Sequence, residues 1–428
     1  MKIAITGFFL SLLSSLHAQL PDAVYSPRIK SAQLYPYGNQ LGLPVIRLNS
    51  GEQLELHFDD LDGGVRNYAY TFQLCNADWT VAMLSQFDFI KGYSQIRLNT
   101  YRVSSIAYTK YTHYQASLPD RNCVPTRSGN YILKVFRDGD TSKLIISKRM
   151  LVVDDKAITV AQIQQPFNGQ IFRTHQKIQL KVNLNEQLNI VNHLQQLKVV
   201  ILQNNRWDNA ITDLRPSFFS RNQLEFNTEN DCIFPSGKEW RWLDLRSFRL
   251  QSDRVATANY STTATEVFVK PDMDRSAQRF NFFRDNNGMY IIECIESLNP
   301  LWQADYATVN FSFVPPNNNI LIGKDVYLFG QLTNYNLNEE VKMVFNADKG
   351  VYETSLFLKQ GYYDYCYVTI DKNAKKRNAS FDFTEGNYWE SENDYTILVY
   401  YRQLAGRADE LVGYTRINSL TGRQGITR

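Results

Sequence analysis

Histidine and cysteine are scarce in this chain, and each shortage excludes a class of chemistry. There are five histidines among 428 residues, and the last 235 residues contain none. A Ser-His-Asp or Cys-His constellation could draw only on the first two thirds of the chain. No histidine stands in a nucleophile-elbow or H-E-x-x-H context. His57 and His113 fall inside strand patterns, where a satisfied structural role is expected. The five cysteines (Cys75, Cys123, Cys232, Cys294 and Cys366) show no C-x-x-C spacing, so the cysteine-based metal sites are missing. An odd number leaves at least one free thiol in an oxidising compartment. Cys75 with Cys123 is the one pair worth testing as a disulfide. The apolar surroundings of Cys75, Cys294 and Cys366 favour buried thiols.

Charge of one sign is also lacking. Forty-six basic against 43 acidic residues give +3, without the clustered Lys and Arg that a nucleic-acid footprint needs. Nothing places two carboxylates opposite each other as glycoside hydrolysis requires, so no catalytic residue, cofactor or metal ligand is expected. Phe58-Asp59-Asp60-Leu61-Asp62-Gly63-Gly64 superficially resembles a calcium loop, but it fails the EF-hand spacing and has no Glu at the twelfth position. A solvated hairpin turn is expected there. Long apolar runs are missing after residue 18, so no spanning helix is expected.

The first eighteen residues, MKIAITGFFLSLLSSLHA, have one positive charge at Lys2, an apolar centre from Ile3 to Leu13 and a Leu-His-Ala end. This is the pattern of a cleaved secretory signal peptide, leaving Gln19 as the mature N-terminus. No cysteine near that point offers a lipid anchor. Three Asn-x-Ser sequons stand at Asn259, Asn310 and Asn378.

Strand formers are abundant. There are 26 Tyr and 25 Phe, residues that favour pleated, half-buried surfaces. Leu54, Leu56 and Phe58 alternate with polar neighbours, the period of two of a half-buried strand. Val65–Cys75 follows the Asp62-Gly63-Gly64 turn as the second arm of an expected hairpin. Further strands are expected at 112–118, 129–136, 143–153, 177–184, 197–203, 288–295, 308–314, 351–358, 362–370 and 395–401. Many short strands spaced by turn residues, with no long helical period, indicate an all-β chain of consecutive β-sandwich domains. The length calls for two or three domains. The expected divisions are 19–156, 157–303 and 304–428, with Pro315–Asn319 as the first interstrand loop of the third. Lys372–Arg377 is a basic tip, either a plain turn or a contact for an acidic surface.

Asp325–Tyr335, DVYLFGQLTNY, resembles the opening of a glycogen-binding or early-set immunoglobulin-like module. Sugar-binding members carry Trp where this chain has Tyr335, and no His, Lys or second Trp stands nearby to complete a platform. A structural early-set domain is therefore the better reading.

Three ordered groups of segments together resemble the type IX secretion system plug proteins of Bacteroidota. The first holds YAYTFQLCNADWT, YTKYTHYQASLPDRN and SGNYILKVFRDGD. The second holds VVILQNNRWDNAI, LRPSFF and KEWRWLDLRSFRL. The third holds DVYLFGQLTNY, GVYETSLFLKQGYYDYCYV and SENDYTILVYYRQLAGRADELVGYTRINS. The resemblance spans about residues 25 to 420. It implies a non-enzymatic periplasmic protein that docks on a giant outer-membrane β-barrel translocon and closes its periplasmic mouth when no cargo is present. The family offers no catalytic residues to carry over. Exposed loops around Trp207 and the Trp240/Trp242 pair are the expected barrel contacts. The alternative is an exported carbohydrate-binding protein of a glycan-uptake system.

Overall fold

The computed structural model describes residues 22–261, 263–375 and 377–422. The expected signal peptide, with its cleavage after Ala18, lies outside the described residues. The architecture is all-β, and every strand anticipated above is present in whole or part. Six of the seven sheets among the described residues pack face to face in pairs as three sandwiches; the seventh is a two-stranded pairing of Ile90–Gly92 with Cys123–Pro125 beside the first.

In the first sandwich one sheet runs Ala23–Val24, Leu144–Val153, Gly129–Arg137, Tyr68–Cys75 and Ile96–Arg97, with Val45–Arg47 parallel to Leu144–Val153. The other runs Ile29–Pro36, Leu54–Asp60, Thr112–Leu118 and Thr100–Val103. Leu54, Leu56 and Phe58 face Tyr131, Leu133 and Val135 in the core between them. Leu54–Asp60 and Tyr68–Cys75 lie in opposite sheets, so Asp62-Gly63-Gly64 is a crossover and not the turn of a hairpin. The correction has a physical basis: Tyr68 and Phe72 pack across from Phe58, and crossing over buries both apolar faces.

The second sandwich pairs Ala157–Gln164, His175–Leu184, Gln223–Phe226 and Phe218–Ser220 in one sheet, with Ile233–Pro235 joining His175–Leu184. Its other sheet is Leu197–Gln203, Asp394–Tyr401 and Glu410–Asn418. The third sandwich is built from Arg241–Asp244, Gly361–Asp371, Tyr290–Ile292 and Lys324–Phe329, facing Val255–Tyr260, Thr265–Val269, Tyr306–Val314, Val351–Lys359 and Val344–Asn346. The strand pairing therefore departs from the expected division at 303/304. Strands from Arg241 onward already belong to the third sandwich, and the last two strands return to complete the second. The loop at Pro315–Asn319 joins two strands well inside the third sandwich, across its two sheets.

Both faces of several strands are buried, which explains their continuous apolar runs. On Asp394–Tyr401, Tyr395, Ile397 and Val399 face the core of the second sandwich. Leu398 and Tyr400 face the opposite way, meeting Ile132, Leu151 and Val153 of the first. The seam makes four stacked sheets of the first two sandwiches. Truncating Leu398 or Ile132 to alanine should cost about 2–5 kcal/mol. Buried Tyr400 donates its hydroxyl to Asn130 Oδ1 at 2.8 Å across the seam.

All five cysteines are buried and free, so Cys75 and Cys123 are not bonded. They point into different cores, Cys123 inside the first sandwich and Cys75 into the seam. Burial raises both thiols to about 12. Reductant should leave the thermal midpoint unchanged, and a thiol reagent should titrate five groups only after unfolding. Labelling of the native protein, or a fall in midpoint with reductant, would contradict this arrangement.

Candidate functional site

Two polar features lie where the sandwiches meet. The first is a fully buried cluster between the first and third. Asp59 and His113 are cross-strand partners on the face opposite Leu56 and Phe58. His113 Nδ1 stands 2.6 Å from Asp59 Oδ1, and His57 Nδ1 stands 3.1 Å from His113 Nε2. Neutral tautomers satisfy this chain, with His57 donating to His113 and His113 to Asp59. From the third sandwich, Tyr306 donates its hydroxyl to Asp59 Oδ2 at 2.6 Å, and Lys359 Nζ reaches the same oxygen at 2.5 Å. Lys359 also donates to Leu301 O and lies 4.3 Å over the Tyr111 ring.

Burial disfavours the carboxylate of Asp59, but Lys359 and His113 overcome this and hold it below its usual range. Burial likewise pushes the Lys359 ammonium down and takes His57 to about 3, aided by the nearby His113. Both histidines are structural, as their strand context indicated. The solvated turn expected for FDDLDGG is corrected at Asp59 and Asp60, which are 0% and 1% exposed. Asp59 finds Lys359 and Tyr306 in distant segments, and Asp60 finds Tyr68 across the crossover eight residues on.

The second feature is a cleft of about 700 Å³ lined by all three sandwiches, within the size range of ligand sites. Trp79 and Trp207 meet edge to face on its wall, with centroids 4.8 Å apart. The Arg149 guanidinium lies 5.0 Å from the Trp79 ring and 5.9 Å from the Trp207 ring, and Arg149 donates to Asp22 Oδ2 at 2.9 Å. Lys148, its ammonium pushed down by burial, donates to Asn334 Oδ1 at 2.9 Å. Four lining residues, Trp79, Asn205, Asn334 and Tyr335, hold left-handed backbones, with φ between 50° and 66°. For residues as bulky as Trp and Tyr this costs of order 1–3 kcal/mol each, strain that clusters at functional sites.

The expected contact residues are scattered. Trp207 is half-buried on the cleft wall. Trp242 is half-buried and stacks on Tyr362 with centroids 6.1 Å apart. Trp240 is not an exposed loop residue: it is buried among Phe329, Tyr335 and Phe381, with the Arg206 guanidinium 6.0 Å from its ring. Gly288, at φ +80°, makes room for it, since a Cβ there would meet the indole at 2.8 Å. Tyr335 packs against Trp240 and Phe329 and donates its hydroxyl to Gly288 O at 3.3 Å. Its ring is committed to internal packing, which counts against a sugar platform. Lys148 and Arg149 were overlooked by the sequence reading. The available signal was two adjacent cations inside the otherwise apolar run LIISKRMLVV.

This architecture defines an all-β assembly whose distinctive sites are junctions between sandwiches. The model of the type 9 secretion system plug protein 1st domain matches residues 29–154, the first sandwich almost end to end. A crystal structure titled as a hypothetical protein from Parabacteroides merdae ATCC 43184 is similar, with 30% identity and a TM-score of 0.88. The match covers 94% of this chain and 99% of that one. No curated protein matches. Residues 29–154 are thereby a type 9 secretion system plug protein 1st domain. No helix among the described residues is long and apolar enough to cross a membrane.

Proposed function

We propose that this protein is the periplasmic plug that docks on the giant outer-membrane β-barrel of the type IX secretion system and seals its periplasmic mouth when no cargo is present. The match of residues 29–154 to the plug first domain carries this reading. A wide barrel leaks solutes unless closed, and a plug that leaves for cargo needs a lower affinity for the loaded channel than for the idle one. Sandwiches locked together by a buried seam and by the Asp59–Lys359 cluster suit such a part, because a preorganised body loses little freedom on docking. Its role is mechanical rather than catalytic.

Trp207 and Trp242 are the proposed anchor side chains, with Trp240 supporting from the interior. Large, partly exposed aromatics are the residue type that dominates interface energetics. Affinity capture of the tagged mature protein from detergent-solubilised envelope should retain one very large barrel protein in near-stoichiometric amount. Trp207→Ala should reduce that recovery about tenfold or more, and deletion of the gene should admit bulky antibiotics. Capture of glycan-uptake receptors, or an unchanged permeability barrier after deletion, would remove the reading.

A further inference from the structure

One long edge of the first sandwich carries, within residues 81–121, a set of exposed side chains that neither the seam, the cleft nor the buried cluster explains; Tyr111, His113 and most of the strand Thr112–Leu118 in the same stretch are buried. This ribbon of chain contains the edge strand Thr100–Val103, all four residues of which are exposed. Met83 and Phe87 are each 85% exposed, Ile106 79% and Tyr93 67%. A folded protein gains nothing internally from side chains held so far into water, and a run of such large apolar groups marks an interaction site. Local hydrogen bonds fix the ribbon. Gln86 Nε2 donates to Ser94 O at 2.9 Å and Thr71 Oγ1 at 2.7 Å, and Tyr93 N donates to Asn122 O at 2.6 Å.

Between the apolar side chains stand Lys91, Arg97, Arg102, Lys110 and Arg121, all exposed. None of the five forms an ion pair among the described residues. Only two carboxylates belong to the ribbon. Asp88 lies 3.6 Å from Arg407, and Asp120 accepts from Asn122 N. Asp305, facing it from the third sandwich, is held by Tyr108 N and Thr109 N. Five basic against two acidic side chains give this stretch +3, equal to the formal charge of the whole chain.

From this pattern we infer that the exposed side chains of residues 81–121 rest on an anionic phospholipid surface, with Met83, Phe87 and Tyr93 entering the headgroup region and the five cations meeting lipid phosphates. Protruding Phe, Met and Tyr flanked by Lys and Arg are the side chains that bind an interface without spanning it. No residue of this ribbon lines the cleft. The inference stands apart from the plug reading. If both hold, lipid contact and barrel contact act as two weak attachments that reinforce each other.

The test is flotation of the mature protein with vesicles of phosphatidylethanolamine containing about 30 mol% phosphatidylglycerol, against phosphatidylcholine vesicles. Binding to the anionic vesicles at about 50 mM salt, lost at about 500 mM, is the expected result. Met83→Ser with Phe87→Ser should weaken it about tenfold. Lys91→Gln and Arg97→Gln should each weaken it about fivefold. Lys270→Gln, outside the ribbon, should leave it unchanged. All five sites are exposed, so every variant should keep its thermal midpoint. Absence of vesicle binding by the unmodified protein, or binding indifferent to the ribbon variants, overturns the inference. Loss of barrel recovery in these variants without any vesicle binding also overturns it, and makes the ribbon a protein contact.

Discussion

Lys359→Met should cost about 3–5 kcal/mol, among the largest effects of any single substitution in this chain. The lysine is 1% exposed and Asp59 0%. Removing the ammonium leaves a buried carboxylate with only Tyr306 and His113 to hold it, and the penalty is that of an unpaired charge more than of a lost attraction. Asp59→Asn in the Lys359→Met background should recover part of the loss, because the amide still accepts from Tyr306 and no charge remains. Urea unfolding of the four proteins of this cycle measures the coupling. If Lys359→Met unfolds within about 0.5 kcal/mol of the parent, the cluster is not the fastening between first and third sandwich described here.

The same cluster makes an acid-sensitive joint. His57 has a folded value near 3 against about 6.5 when unfolded. Between those values the unfolded chain binds the proton and the folded one refuses it. Stability is therefore complete above about pH 6.5 and declines as pH falls toward 3, by up to about 5 kcal/mol. His57→Asn should flatten that acid limb.

The sequence is most informative where partners are near and least where they are far. Leu54, Leu56 and Phe58 announce a half-buried strand through their own spacing, and the core agrees. Asp59 and Asp60, the next two residues, look like a polar turn because the side chains that neutralise or cover Asp59 come from Tyr306 and Lys359, about 250 and 300 residues away. The final strands show the same limit. YTILVYY is plainly a strand, but nothing in it says that Val399 lies opposite Val199 and not beside the third-sandwich strands that immediately precede it. Trp240 sits in a polar stretch, KEWRW, and is buried all the same. Gly288 and Arg206, the residues that enclose it, come from separate segments. Trp207 is legible only as an aromatic in a loop; its meeting with Trp79 and Arg149 depends on the seam between two sandwiches.

Asp364→Asn should stabilise the protein, and by an amount that grows with pH. Asp364 lies on Gly361–Asp371 where the third sandwich meets the second, among buried acids that have little to offset their charge. Its Oδ2 accepts from the backbone N–H groups of Asn286 and Gly288, while its Oδ1 is buried without a partner. Burial, and then the proximity of Asp285, push it up to about 8. Burial takes Asp285 to about 7 and Glu239, whose Oε2 is also unpartnered, to about 8. A carboxyl raised in the folded state favours folding below its unfolded value near 3.8, and that advantage is lost as pH rises through 8. At pH 4 the acid is protonated in the folded state and about two-fifths protonated in the unfolded one, a difference of only about 0.5 kcal/mol, so Asp364→Asn should change stability little. At pH 8 the parent bears the full cost of keeping this site protonated or burying its charge, and the amide does not. Because the acids share that cost and the new amide N–H groups lack a partner, the expected gain is about 3 kcal/mol, below the nearly 6 kcal/mol that a four-unit displacement implies. Paired urea titrations at pH 4 and pH 8 decide the matter. A gain of equal size at both would mean that the substitution acts through packing, and a loss at pH 8 would mean that Asp364 is charged and compensated in the native protein.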